Sequence, residues 1–452
     1  MKNNIVIIGF GSIGQAILPL LQQHFPSGEI IIIESNPTEN YAKISKEFST
    51  TLIREHVNIN NYCSILTPLL KSAGYLLNLA TAVSSMDLIK LAQEHNVFYL
   101  DTCIEPWKYA HAEFGIETTN YELREQVLAI KSKTKGKTTS LIAHGANPGF
   151  VSVLMKKGLI EMADAVGLKR TKPSTANEWA SLAKELDIKV IQISEHDTQM
   201  SSSQRQCGEF VNTWSVDGFV TELLQPAELG WGSHEKRIPD RGVRNTNGSK
   251  AAIWIDKPSL SLKVRSWSPN SLNFDGYLVT HHEAISIADY LTLKDEENNV
   301  IYRPTSYYAY HPCGDAISSI ELLNKFEGIN NIKSMRIMRD DIASGMDELG
   351  VFLISGSYSS LWIGSNLSID KARKTAKLNN ATSLQVVSSI IAAMEWMKEN
   401  PNLGIIESED LDYEFIYNVV EPYWAPIAKQ YLTWHPGKVS SELQFEDFIV
   451  TI

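Results

Sequence analysis

The first 145 residues alternate short, fully apolar runs with longer segments of helical spacing. Asn4–Ile8, Glu29–Glu34 (EIIIIE), Tyr75–Ala80 (YLLNLA), Val97–Asp101 (VFYLD) and Thr139–His144 predict strands. Ile13–Gln23, Ser85–Glu94 (capped by Ser84 or Ser85) and Thr118–Lys133 predict helices between them. Strands that are apolar on both faces, separated by helices, belong to a parallel sheet covered on both sides. Beyond residue 145 the texture changes. Asn147-Pro148-Gly149 reads as a helix start, with Asn147 as cap and Pro148 in the first turn, and the helix runs to about Ala165. Short β-like runs then appear at Lys189–Ser194, Ala251–Ile255 and Val351–Ser355, separated by long polar connections. Ala381–Lys398 returns to helical spacing, with Leu384, Val387, Ile391 and Met394 on one stripe, and Asn400-Pro401 ends it. The pattern predicts an α/β chain in three parts. Residues 1–145 form a Rossmann domain, 146–380 an α+β domain with a largely antiparallel sheet, and 381–452 a C-terminal helical segment that returns to the first domain.

Composition narrows the function classes. With 452 residues, 43% hydrophobic and 21% charged, the chain has ample material for large cores. A net charge of −11 without a basic run argues against a nucleic-acid partner and is compatible with a cationic substrate. No apolar run approaches the roughly 20 residues of a membrane span. Cys63, Cys103, Cys207 and Cys313 are widely spaced, without a CxxC pair, and read as reduced thiols of a cytoplasmic protein.

The most specific motif is Gly9-Phe10-Gly11-Ser12-Ile13-Gly14, a G-x-G-x-x-G that follows one predicted strand and opens a predicted helix. Gly9 makes the tight turn, Gly11 admits a pyrophosphate to the backbone and Gly14 allows close helix–strand packing. Glu34 ends the second strand. A carboxylate there accepts the adenosine ribose hydroxyls and repels a 2′-phosphate, so NAD is expected over NADP. Gly9, Gly11, Ser12, Ile13, Gly14 and Glu34 are the candidate cofactor residues.

In the second part, acids and tryptophans recur together: Glu195-His196-Asp197, Trp214 with Glu222 eight residues on, and Glu228-Leu229-Gly230-Trp231-Gly232-Ser233-His234-Glu235. Carboxylates take an ammonium by charge-assisted hydrogen bonds, and an indole face attracts the same cation. A solvated acidic surface over core tryptophans is the alternative. His281-His282-Glu283 has no evident third ligand, so no metal is expected, and a histidine in proton transfer fits better. Tyr307, Tyr308 and Tyr310 have period-two spacing and are expected to pack a strand.

The segments GFGSIGQAILPLL, LDTCIEPW, HGANPGFVS, ISEHDTQ, NTWSVDGF, QPAELGWGSHE, THHEAISIADY, YAYHPCGDAI and NNATSLQVVSSIIAAMEW, with ENPNLGIIE after them, run in one order along nearly the whole chain. In this the sequence resembles the bacterial homospermidine synthases, relatives of the saccharopine dehydrogenases. The resemblance implies a homodimer with NAD as a retained prosthetic group. It implies oxidation of putrescine to an imine, loss of ammonia, condensation with a second putrescine and re-reduction. Carried over by motif, Glu222 and Glu195 hold ammonium groups and Trp214 lends its ring to a cationic intermediate. Asn147 and His281 sit near the nicotinamide and the reacting nitrogen, and Glu105 lines the site. Ala82 stands where the family leads one to expect an aspartate. Two other readings remain open on the residues: a reductase of a carboxylated polyamine, akin to saccharopine dehydrogenase, and a non-catalytic protein that retains NAD and binds polyamines.

Overall fold

The computed structural model describes residues 4–108, 116–169, 171–324, 328–437 and 442–450. The chain forms two compact units: Met1–Thr118, Glu122–Phe150 and Asp370–Tyr423 in one, Thr119–Tyr121, Val151–Ile369 and Trp424–Ile452 in the other.

The first unit is built on a seven-stranded sheet. Its strands lie in the order Ile405–Ile406, Ser140–Leu141, Phe98–Asp101, Ala73–Asn78, Asn4–Ile8, Ile30–Glu34 and Thr51–Arg54, and every neighbouring pair is parallel. Ile5, Val6 and Ile7 are wholly buried, each contributing about 1.5–3 kcal/mol. Helix Ser85–Glu94 forms as its pattern predicts, and the Ser84 hydroxyl accepts the Asp87 N–H. The helix predicted over Ile13–Gln23 divides at Ile17 into Ser12–Ala16 and Leu18–His24. Pro19 explains the break, since its ring lacks an N–H and crowds the preceding turn. The strand predicted over Thr139–His144 pairs only at Ser140–Leu141. Helix Ala381–Glu399, capped by Asn380, belongs to this unit, as does the edge strand Ile405–Ile406. The remainder of the C-terminal segment, 424–452, belongs to the second unit instead, where Ile427–Leu432 is an edge strand.

The helix start predicted at Asn147-Pro148-Gly149 is displaced. The helix is Phe150–Ala165, and Asn147 is too far upstream to cap it. Gly149 has φ +135°, and a Cβ there would lie 2.0 Å from the Gly145 carbonyl oxygen. Gly145 N–H donates to the Pro148 carbonyl at 2.6 Å and Phe150 N–H to that of Gly145 at 2.9 Å. These bonds close a tight turn, which leaves Asn147 in a loop.

The second unit carries an eleven-stranded, largely antiparallel sheet. Its main path runs Gly242–Arg244, Ala252–Pro258, Pro226–Gly230, Thr305–His311, Ile188–Asp197, Met346–Ser355, Ser360–Ser368 and Ile427–Leu432. Thr305–His311 and Ile188–Asp197 form a parallel pair within it, with Tyr308 opposite Ile193 and Tyr310 opposite Glu195. Successive side chains on a strand point to opposite faces. One face carries Tyr307, Ala309, Val190 and Phe352 into a core with Trp267, Trp362, Phe445 and Phe448. The other carries Glu195, Tyr308 and Tyr310.

Candidate active site

The first unit's candidates all follow the carboxyl ends of strands in one sheet, the edge where open α/β sheets bind ligands. Gly9 has φ +94°, and a Cβ there would meet the Leu79 carbonyl oxygen at 2.8 Å. A Cβ on Gly14 would lie 2.3 Å from the Gly9 oxygen. At Gly11 a Cβ would meet nothing within 4 Å, so the backbone there lies open. Ser12 and Ile13 begin the helix that follows. The Glu34 carboxylate accepts Phe10 N–H at 2.9 Å, Asn36 N–H at 3.0 Å and the Ser35 hydroxyl at 3.2 Å. It is therefore fixed against the glycine loop, with no basic side chain among these partners to receive a 2′-phosphate. The constrained turn, the open Gly11 backbone and the fixed acid fit a dinucleotide.

Asn147 and Glu105 belong to the same unit. Glu105 is buried, and its carboxylate accepts the Ala82 N–H at 2.9 Å. Ala82 has φ +56°, a conformation that Asp and Asn tolerate better than Ala. The carboxylate at this loop is thus that of Glu105, while Ala82 contributes only backbone.

The second unit brings Glu195, Trp214, Glu222 and His281 into one network, joined by two tyrosines. Tyr308 donates its hydroxyl proton to Glu195 Oε2 at 2.6 Å. Its ring lies 4.4 Å from the His281 ring on one side and stacks on Tyr310, centroids 5.4 Å apart, on the other. Trp214 Nε1 donates to the Tyr310 hydroxyl at 3.4 Å, and Phe219 packs against both Trp214 and Tyr310. His281 Nε2 lies 3.4 Å from Glu222 Oε2, and its Nδ1 lies 3.1 Å from Glu283 Oε1. Acids and aromatic rings thus adjoin one another in a single network, an arrangement suited to an extended cation.

Electrostatics separates the groups. Burial raises the Glu222 carboxyl above the usual carboxylate range, partly opposed by His281. Burial works against charge on His281, but Glu283 and Glu222 outweigh it and hold the imidazole well above its ordinary value. Burial pushes the Tyr310 phenol up, reinforced by the charges of Glu195 and Asp197. Asp197, also enclosed, is raised to about 6 although Gln199 and Thr213 donate to it.

Two sequence expectations need correction. Tyr307 packs the core, its hydroxyl accepting from Gln192 Nε2 at 2.8 Å, but Tyr308 and Tyr310 link the site residues. The period-two spacing contained this signal: 308 and 310 share a face that 307 does not. The segment Glu228–Glu235, grouped with the amine-binding acids, is structural. Glu228 accepts the N–H groups of Asn120 and Tyr121 and the Thr280 hydroxyl. Glu235 accepts the Thr305 hydroxyl, and Trp231 packs on Phe445. Glu283, to which the sequence reading gives no role, partners His281. Among the described residues no three His, Cys, Asp or Glu side chains cluster as a metal would require.

Comparison with known proteins agrees with both halves of this description. Residues 5–141 match the saccharopine dehydrogenase NADP binding domain, and residues 145–432 match the saccharopine dehydrogenase C-terminal domain. The chain is 42% identical over 439 residues to the homospermidine synthase of Blastochloris viridis, covering 96% of this chain and 92% of that one. It is 40% identical over 440 residues to that of Mesorhizobium japonicum, covering 96% and 91%. The crystal structure of the Legionella pneumophila homospermidine synthase in complex with NAD superposes with a TM-score of 0.92 at 38% identity, over 100% of this chain and 98% of that one. With identity at this level sustained over almost its whole length, the chain belongs to the homospermidine synthase family.

Proposed function

We propose that the protein is an NAD-dependent homospermidine synthase, converting two putrescines to homospermidine and ammonia. The observation that carries this reading is the contiguous network of carboxylates and aromatic rings in the second unit, Glu222–His281–Tyr308–Tyr310–Trp214 with Glu195 on Tyr308. A dehydrogenase of carboxylated substrates needs free cations there; the one cation of this network, the His281 imidazolium, is flanked by Glu283 and Glu222, and its other charged members are carboxylates. NAD would lie against Gly9, Gly11, Ser12, Ile13 and Gly14 with its ribose on Glu34, where the fixed carboxylate disfavours NADP.

When bound, NAD supplies reversible removal of two electrons from an amine-bearing carbon. The chain's own residues do the rest. Glu222, with its raised pKa, takes a proton from the arriving ammonium, because only the neutral amine can be oxidised. Glu195, held by the Tyr308 hydroxyl, receives an ammonium on the same face. The Trp214 ring stabilises the positive charge that develops on the iminium. Asn147 and Glu105, on loops that follow strands of the first unit, would flank the nicotinamide of the bound NAD. The protein acts on putrescine and related diamines, in the cytoplasm, as a homodimer. The four free thiols fit a reducing compartment, and no described helix is long and apolar enough to cross a membrane.

The test is stoichiometric. Purified protein with putrescine and catalytic NAD yields homospermidine and ammonia in equal amounts, without accumulating NADH. NADH rising in step with putrescine loss makes it a dehydrogenase; NAD binding with neither product favours the non-catalytic reading.

A further inference from the structure

Nothing in the family reading assigns a role to Glu283. We infer that Glu283 is a positioning residue that holds the proton on His281 Nδ1 and favours the doubly protonated ring, so that Nε2–H serves as the acid for the departing ammonia. The inference rests on the synthase reading for the identity of the leaving group; the geometry stands apart from it.

His281 is in extended conformation, φ −148° and ψ 146°, immediately before helix His282–Tyr290. A carboxylate in the first turn can therefore reach back to it. Both Glu283 oxygens lie within hydrogen-bond distance of Nδ1, at 3.1 and 3.2 Å. Only 1% of the Glu283 side chain and 9% of the His281 side chain is accessible, so water does not compete well for this bond. A carboxylate on Nδ1 requires N–H there, which leaves Nε2 as the nitrogen directed at Glu222, 3.4 Å away. The Tyr308 ring, 4.4 Å distant, restricts rotation of the imidazole. The ionisable groups against the ring are thus Glu283, Glu222 and the Tyr308 phenol, whose proton is engaged with Glu195. Two acids on opposite nitrogens favour the imidazolium. An arrangement in which a second group orients a histidine while its other nitrogen works on the substrate is the general logic of acid–base relays.

The step balances. Water adds to the imine carbon, and the Nε2 proton passes to the amine nitrogen of the resulting carbinolamine as its C–N bond breaks, so that the bonding pair leaves with ammonia. The carbinolamine hydroxyl gives up its proton, which returns through Glu222 to Nε2, and the aldehyde left behind condenses with the second putrescine, releasing the water. No electrons are exchanged.

The test uses NAD-loaded full-length protein with histidine labelled by 13C and 15N, the His281 signal being assigned with His281→Gln. In the unmodified protein, His281 carries a proton on Nδ1 throughout, and Nε2 titrates far on the alkaline side. Glu283→Gln lowers that midpoint by about one pH unit or more and lets the neutral tautomers mix. Glu283→Asp, which keeps the charge, restores the midpoint at least in part and guards against a variant that fails to fold. In turnover, the alkaline limb of kcat shifts down by the same amount in Glu283→Gln, while KM for putrescine changes less. An unmoved His281 midpoint and tautomer in Glu283→Gln overturns the inference, even if activity falls. If the unmodified protein makes no homospermidine, the synthase reading fails, and the titration still decides the role of Glu283.

Discussion

Under the proposed function, the two units solve different recognition problems with different parts of the chain. The first presents backbone: a glycine turn, an open peptide at Gly11 and one carboxylate, Glu34, pinned to the same loop. The second presents side chains gathered from four separate stretches, around Glu195, Trp214–Glu222, His281–Glu283 and Tyr308–Tyr310. A dinucleotide phosphate is recognised by closeness of approach, which needs residues without side chains. A flexible diamine is recognised by charge and ring faces, which need side chains held rigid. The lesson is that a backbone site survives as a contiguous motif, whereas a side-chain site is assembled only by the fold.

The largest test of this contrast is Gly11→Val. The site there is open, so the new side chain fills the space of the pyrophosphate without displacing protein atoms. NAD binding, measured by fluorescence titration, is lost, while the thermal unfolding transition stays cooperative and close to that of the unmodified protein. In the second unit, Glu222→Gln keeps shape and removes charge. A hydrogen bond to a charged group contributes about 1.5–3 kcal/mol, so kcat/KM for putrescine falls by about one to two orders of magnitude. Glu228→Gln is the control. Its buried carboxylate accepts three protein donors, so the loss is expected in stability, about 1–3 kcal/mol in urea unfolding, with KM unchanged. Equal loss of kcat/KM in both variants would dissolve the distinction between site acid and structural acid.

How much of this was legible follows the same division. The glycine fingerprint, Glu34 and the helix Ser85–Glu94 are local, since their residues are close in sequence and their physics is that of one turn or one cap. Asn147 reads as a helix cap because its dipeptide with Pro148 obeys a local rule, but the bonds of Gly145 with Pro148 and Phe150 outweigh that rule. Among the acids, Glu195 and Glu228 are indistinguishable in sequence. Only strand pairing shows that one lies beside Tyr310 and the other receives Asn120, Tyr121 and Thr280. Tyr308 and Tyr310 were legible as a face but not as a site, because which face of a buried strand holds the core is a property of the whole sheet.

A smaller effect separates the neighbours on that strand. Tyr308→Phe removes the donor to Glu195 and should reduce kcat/KM about three- to tenfold, the weight of about 0.5–1.5 kcal/mol for one hydrogen bond. Tyr307→Phe should leave kinetics unchanged and cost only stability.

Two buried histidines extend the comparison to pH. His144, in the first unit, is lowered to about 4 by burial, despite a bond to the Ser389 carbonyl. Its unfolded form binds a proton more readily, so its contribution to stability is lost as pH falls from about 6.5 toward 4. His281 is raised, so its contribution is present below its unfolded pKa and lost as pH rises through the folded value. His144→Gln should therefore flatten the acid side of the stability profile and His281→Gln the alkaline side, as read by denaturant unfolding across pH. The mildest change is Glu34→Ala, which narrows the preference for NAD over NADP; equal affinity of the unmodified protein for both would remove Glu34 from that role.

The central claim is that electrons taken from one putrescine return to the same molecule's product. The direct measurement supplies putrescine deuterated at its amine-bearing carbons, together with excess unlabelled NADH in solution, and weighs the homospermidine formed. Return of the same deuterium within a retained cofactor gives product with all its carbon-bound label. Product one deuterium short, or deuterium accumulating in the NADH pool, would contradict the account.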